Sequence, residues 1–439
     1  MRKTNLQKED RLVARIAQLE LFSWEEIEDL GDLHRLRLVL EAMPDEGLMR
    51  VLERERGRGR NDYPVRAVWN SILAGVVFQH VSIESLRREL ERNGQLRQVC
   101  GFSALRGADG VPAAYVYTRF LKRLMAYQAE IDAMFDGLVK SLRKALPGFG
   151  RTLAIDGKGI RTHGRKDPEA SWGRKTYRGE DRDGTAWERV AKWFGYKLHL
   201  VVDAEHELPV AYEVTRASWN EMPQAHRLVQ EMDRRIPEVL EGCEAWLGDK
   251  GYDDGTLLAD LWDEHGIKPV VAIRDCWQDG EETRWVSGTE NVVYDAEGTV
   301  YCHCPLTGER RAMAYGGFEK KRDTLKYRCP ARHYGCACKG SACCPVKGAV
   351  RIKLSEDRRI FTPVARSSYA WKRVYKKRTA VERVNSRLDV SFGFERHFIR
   401  GLQKMKLRCG LALLVMLAMA LGRVKEKQKE NLRSLVAAA

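Results

Sequence analysis

Three carboxylates stand in local settings that suit chemistry. Asp156 closes the apolar run Leu153-Ala154-Ile155, Asp249 closes Ala245-Trp246-Leu247-Gly248, and Glu382 lies within the basic helical stretch from Tyr375 to Asn385. A parallel or mixed sheet can bring two strand-end aspartates side by side, since ligands in such sheets bind at strand ends. With a helix glutamate they can hold a pair of Mg²⁺ ions about 3.5–4 Å apart, one activating an attacking oxygen and the other stabilising a leaving one. That is the chemistry of cutting and rejoining phosphodiesters. Gly157 and Gly251, close after the aspartates, are expected to leave room for a phosphate. Taken singly, each acid reads as a strand cap or a solvated helix residue. Their order and matching contexts favour the metal site.

The elements that must position these acids follow from the apolar spacing. Before residue 145 the period is helical, over Arg11–Leu21, Ser23–Leu30, Leu33–Ala42, Val65–Val81, Val116–Tyr127 and Ile131–Leu146. Ser82 is placed to cap the start of a further helix, and a basic break, Glu55 to Pro64, interrupts the block. From Thr152 the pattern changes to strands over Leu153–Ile155, Tyr196–Val202, Leu208–Val214, the run into Asp249, and Pro269–Ile273. Helices are expected from Pro223 to Met232 and over Gly255–Glu264. Successive strands, then alternating helix and strand, indicate a mixed α/β sheet. Residues 163–190 are polar and Gly-rich and read as a mobile loop.

The bulk composition narrows the partners. Among 439 residues the net charge is +15, an excess that favours a polyanion, because each Lys or Arg set against a phosphate releases counterions. From Arg366 to Arg408 there are thirteen Lys or Arg against three acids, which puts the strongest positive field beside Glu382. No apolar segment suited to a signal peptide opens the sequence. The longest apolar run, 14 residues from Cys409 to Gly422, is shorter than the roughly 20 that span a bilayer. A buried core helix and no membrane association are expected. Trp172, Trp187 and Trp193 read as core aromatics, with stacking on unpaired bases as the alternative. His199 reads as a structural histidine.

The motifs around the acids resemble those of DDE transposases of bacterial insertion sequences, in the broad insertion-sequence-4-like group. Tyr375, Arg378 and Glu382 match the group's Tyr-x2-Arg-x3-Glu-x6-Lys signature, but the last position is Asp389, which leaves Arg383 or Arg387 to supply a positive charge. Further similarity lies in Gly195-Tyr196-Lys197-Leu198-His199, Trp219-Asn220-Glu221, and Asp249-x-Gly251-Tyr252. The resemblance covers roughly residues 60–275 and 355–423. It implies an RNase H-like catalytic domain in which Asp156, Asp249 and Glu382 hold two Mg²⁺ (or Mn²⁺). Positions 375, 378, 382, 385 and 389 recur at helical spacing on one face, so Arg378 and Asn385 are expected to orient the scissile phosphate, with Tyr375, Lys158 and Lys197 also at the phosphate.

Seven of the eleven cysteines fall between residues 302 and 344. A structural zinc ribbon is expected on four thiols drawn from Cys302, Cys304, Cys329, Cys336, Cys338 and Cys343, with Cys344, His303 and His333 as further candidates. The expected organisation is a helical DNA-binding domain over 1–145, catalytic parts over 150–275 and 351–425, a Cys-rich insertion over 276–350, and a polar tail over 426–439. The function the resemblance implies is cleavage at terminal inverted repeats and strand transfer to target DNA. A homodimer on double-stranded DNA is expected, in the cytoplasm and nucleoid-associated. The rivals are an RNase H-like nuclease that never joins strands, and a non-catalytic domesticated DNA-binding protein.

Overall fold

The computed structural model describes residues 29–57, 62–181, 183–274, 277 and 279–435. The expected helix Arg11–Leu21, most of Ser23–Leu30, and residues 58–61 of the basic break lie outside the described residues.

Among the described residues seven helices precede the sheet: α1 (His34–Ala42), α2 (Glu46–Arg56), α3 (Val65–Val77), α4 (Ile83–Arg92), α5 (Gly94–Cys100), α6 (Ala114–Ala126) and α7 (Gln128–Ala145). Ser82 caps α4 as its sequence suggests. Its hydroxyl accepts from the Ser85 amide at 3.1 Å, and the Ser85 hydroxyl accepts from the Ser82 amide in return, a reciprocal arrangement that pairs two otherwise orphaned donors.

The sheet is built from β1 (Thr152–Arg161), β2 (Ser171–Glu180), β3 (Ala186–Asp203), β4 (Leu208–Arg216), β5 (Ala245–Gly248) and β6 (Lys268–Val271). Its body runs β4-β3-β1-β5-β6. The first three strands are antiparallel, and β5 and β6 run parallel to β1. Between β4 and β6 lie α8 (Glu221–Arg235), α9 (Pro237–Glu241) and α10 (Gly255–Asp263). This is the RNase H-like mixed sheet flanked by helices.

One expectation fails here. Residues 163–190 are not simply a loop: β2 and the first half of β3 form a long antiparallel hairpin, from Ser171 opposite Gly195 to Glu180 opposite Ala186. The glycines that suggested mobility face tryptophans across the ladder, Gly173 opposite Trp193 and Gly179 opposite Trp187. An aromatic ring over a strand glycine covers backbone that would otherwise be bare. A Cβ at either glycine would lie 2.4 Å from the facing indole. Trp172 and Trp187 are exposed rather than in the core. Trp193 covers Gly159 as well and donates to the Tyr196 carbonyl at 3.0 Å.

The cysteine-bearing segment forms two small sheets. One holds β7 (Thr283–Trp285), β8 (Val292–Asp295), β9 (Val300–His303) and β10 (Arg310–Ala312). The other holds β11 (Ala314–Glu319), β12 (Thr324–Arg328) and β13 (Ala349–Lys353), with the short helix α11 (Pro330–Tyr334) after β12. They enclose a separate apolar cluster that includes Val292, Val300, Leu325, Tyr327, Ile352 and Phe361.

The chain then returns to the main body through α12 (Tyr369–Tyr375), α13 (Thr379–Val390) and α14 (Leu402–Lys425). By length and mean hydropathy α14 could cross a bilayer, but its apolar window is 89% buried inside the protein. It packs against α1, α3, α7 and β4 and serves as the central core helix. Around it the N-terminal helices and the sheet share one continuous core. The stretch up to residue 435 also packs in. Leu432 and Leu435 are buried, and the Leu435 carbonyl accepts from Arg35 at 2.8 Å.

Candidate active site

Pairing between β1 and β5 stops at Ala154 opposite Leu247, and β5 itself ends at Gly248. Two residues beyond that last pair, Asp156 and Asp249 therefore stand at matched positions where the strands part. The sheet brings the two aspartates together. Asp156 is buried. Its Oδ1 accepts from the Gly157 amide at 2.8 Å and lies 3.8 Å from the Lys175 ammonium, which reaches over from β2. Burial pushes its carboxyl up to about 6, Lys175 pulls against that, and the nearby charges of Asp249 and Glu221 add to the rise. Asp249 caps a short 3-10 turn (Lys250–Tyr252), accepting from the Gly251 amide at 2.7 Å.

Glu382 is on α13, which packs against β1, but its carboxylate is half-exposed and pairs with the Arg378 guanidinium at 2.6 Å. The α13 residue in contact with Asp156 is Asn385, whose Nδ2 lies 3.4 Å from Oδ2. The single helical face expected from 375 to 389 is interrupted, because α12 ends at Tyr375 and a 3-10 turn covers Lys376–Arg378. Tyr375 stacks on Trp371 with ring centroids 4.5 Å apart, and Arg378 sits over the Tyr375 ring at 5.7 Å.

The expected cations take other partners. Lys158, on β1, pairs with Asp389 at 2.5 Å, the position where the helix signature has a lysine. Arg383 and Arg387, expected to replace it, instead pair with the buried Glu207, Arg383 at 2.7 Å. Lys197 is bound to Glu221 at 3.3 Å and to the Trp219 carbonyl at 3.1 Å. His199 is fully buried, accepts or donates to the Thr215 hydroxyl at 2.9 Å, and burial drives its imidazole down to about 3, as befits a neutral structural residue.

Glu221, the first residue of α8, belongs to the Trp219-Asn220-Glu221 motif, for which the sequence suggests no role beside the two aspartates. A Cβ at residue 157 would lie 2.7 Å from its Oε1, and one at residue 251 would lie 2.9 Å from its Oε2. The room beside the two glycines is thus filled by a carboxylate and is not left for a phosphate. The signal was present in Asn220-Glu221 at a helix start, but nothing local ties it to glycines so far away in sequence.

The donor set fits a divalent cation. Asp156, Asp249 and Glu221 crowd like charges together, and such crowding is relieved by a cation. Two buried polar atoms at the same place, Asn385 Oδ1 and the Tyr252 hydroxyl, have no hydrogen-bond partner among the described residues. Even so, among the described residues no three His, Cys, Asp or Glu side chains are already grouped at the spacing of a shared ion. That holds for the cysteines too. Cys302, Cys304, Cys329, Cys338 and Cys344 line one small cavity, while Cys336 and Cys343 are exposed. Burial and the neighbouring thiols of Cys329, Cys344 and Cys338 push Cys302 up to about 11.

An RNase H-like sheet with Asp156 and Asp249 side by side where β1 and β5 part is consistent with the fold of a transposase catalytic domain. Residues 147–418 match the family model of the transposase DDE domain, and the chain belongs to that family. A comparison with curated proteins gives no match. Among solved structures, the cryo-EM structure of the piggyBac transposase synaptic complex with hairpin DNA is similar over 92% of this chain and 79% of that one. Its TM-score is 0.39 and its sequence identity 11%.

Proposed function

We propose that this transposase, of the insertion-sequence-4-like group, cuts DNA at terminal inverted repeats and joins the freed 3′ ends to target DNA. The observation that carries the reading is the placement of Asp156, within β1, beside Asp249, just past the end of β5, where the two strands part, with Asp156 buried. Mg²⁺ or Mn²⁺ held there would supply Lewis-acid activation of the attacking and leaving oxygens. Asn385 fixes the orientation of Asp156. Arg378 pairs with Glu382. A scissile phosphate is the natural competitor for that guanidinium, and its arrival would release Glu382 toward the aspartates. The basic stretch from Arg366 to Arg408 and the exposed Trp172 and Trp187 on the β2–β3 hairpin supply charge and stacking surface for DNA, on which two ends and two copies of the chain would assemble.

The test is cleavage of a DNA fragment carrying the gene's flanking terminal repeats, with Mg²⁺, by wild type and Asp249→Ala. Nicking at the repeat boundary by wild type alone, followed by joining to a target plasmid, is the expected result. Nicking without joining would favour the hydrolytic rival, and binding without nicking the non-catalytic one.

For the cysteines we propose one structural zinc, with ligands among the five thiols of the cavity. A small unit of two short sheets has little core of its own and gains most from such a staple. Metal analysis of the purified protein is expected to show one zinc per chain, lost on Cys329→Ser and retained on Cys336→Ser.

A further inference from the structure

We propose that Glu221 is a third carboxylate ligand of the divalent site formed by Asp156 and Asp249, with Lys197 holding it in place before the ion arrives. The inference rests on the metal-dependent reading above and extends it to a residue outside the aspartate–aspartate–glutamate set.

The geometry is specific. The two oxygens of one carboxylate straddle the gap between β1 and the turn after β5. Oε1 packs on Gly157 and Oε2 on Gly251, at the distances from their Cβ positions given above. A Cβ at residue 251 would also lie 2.8 Å from Asp249 Oδ1, so Asp249 and Glu221 present oxygens to the same small volume. Any side chain at either glycine would push Glu221 out, which accounts for a glycine close after each aspartate.

Anchoring is firm on the backbone side. Asn220 is the N-cap of α8 and Glu221 its first residue, where the helix dipole favours a negative charge. Lys197 is buried, bonded to the Trp219 carbonyl, and paired with Oε1 of Glu221. The remaining oxygen faces Asp249. A carboxylate pre-set on one oxygen and open on the other is what an incoming hard cation needs, since Mg²⁺ takes one or two carboxylates plus water in near-octahedral array. With Glu382 paired to Arg378, Glu221 is the third carboxylate beside Asp156 and Asp249.

Mn²⁺ binding to the full-length, DNA-free protein tests this by isothermal titration, with electron paramagnetic resonance as a check on free ion. Glu221→Gln is expected to weaken Mn²⁺ about 10–100-fold, the usual cost of a lost partner at a metal site, and Glu221→Asp less. Gly157→Ala displaces the same carboxylate without meeting Asp249, and is expected to weaken binding in the same direction should Glu221→Gln not fold. A purely structural Glu221 would lower the melting temperature and leave Mn²⁺ affinity unchanged. Wild-type affinity in Glu221→Gln together with lost binding in Asp156→Asn would overturn the proposal and leave the metal-dependent function standing. Absence of Mn²⁺ binding by the wild type would overturn both.

Discussion

Two buried aspartates near strand β1 meet opposite fates. Asp156 has its carboxyl pushed up to about 6 by burial, with Lys175 opposing and Asp249 and Glu221 adding to the rise. Asp167 is also buried, and burial works against its charge too, but hydrogen bonds from Thr162, Tyr196, Gly401 and Glu169 hold it at about 2. The Thr162 hydroxyl donates at 2.6 Å, the Gly401 amide at 3.0 Å and the Glu169 amide at 3.1 Å, with the Tyr196 phenol closer still. Burial alone therefore does not make a site. Donors decide the outcome: Asp167 is a finished junction that ties the base of the hairpin to the start of α14, and Asp156 is an anion that a cation must complete.

The largest expected effect breaks the unfinished half. Asp156→Asn and Asp249→Ala should each reduce DNA cleavage by about 10³-fold or more, because a metal ion supplies several kcal/mol of transition-state stabilisation. Rates on a repeat-bearing fragment measure this. Breaking the finished half comes next. Asp167→Ala leaves the Tyr196 phenol and the Gly401 amide without their acceptor and should cost about 3–5 kcal/mol of stability, read by denaturant unfolding. Its sign with pH is set by the depressed value: the stabilisation is present above the ordinary 3.8 and lost as pH falls through about 2. The gap between wild type and variant should narrow in acid.

Asp156 has the reverse sign. A raised folded-state value means a penalty absent below 3.8 and complete above about 6. In chelator at pH 7.5, Asp156→Asn should therefore stabilise the metal-free protein, by up to about 3 kcal/mol, and should melt above wild type. At pH 4 the two should melt together. The smallest effect concerns Lys158 and Asp389. Asp389→Ala strands a largely buried ammonium and should cost about 1–2 kcal/mol. The exchange Lys158→Asp with Asp389→Lys should recover most of that and also place a lysine at the helix position where the signature has one.

How much of this was legible in the sequence differs along the chain. Asp156 and Asp249 could be read because each ends an apolar run, and the sheet then did what parallel neighbours do. The helix cap at Ser82 and the core role of α14 were equally local. The hairpin was not. Its polar, Gly-rich composition looks mobile until register sets Trp187 over Gly179 and Trp193 over Gly173, and register is a cross-strand property. The role of Glu221 escaped for a related reason: it depends on α8 starting beside Gly157 and Gly251, which lie 64 and 30 residues away in the chain. The pairing of Lys158 with Asp389 reverses the charges expected of helix and strand, a compensation visible only once α13 is laid on β1.

The most direct test of the central claim is a crystal structure of the DNA-free protein soaked in Mn²⁺, with anomalous scattering to locate the ion. The account predicts an ion with oxygens of both Asp156 and Asp249 at about 2.1–2.2 Å, in the range of hard-cation ligation, and the unpartnered Asn385 Oδ1 or Tyr252 hydroxyl joined to its water shell. Mn²⁺ absent between the two aspartates at saturating concentration, or bound only elsewhere on the protein, would contradict it.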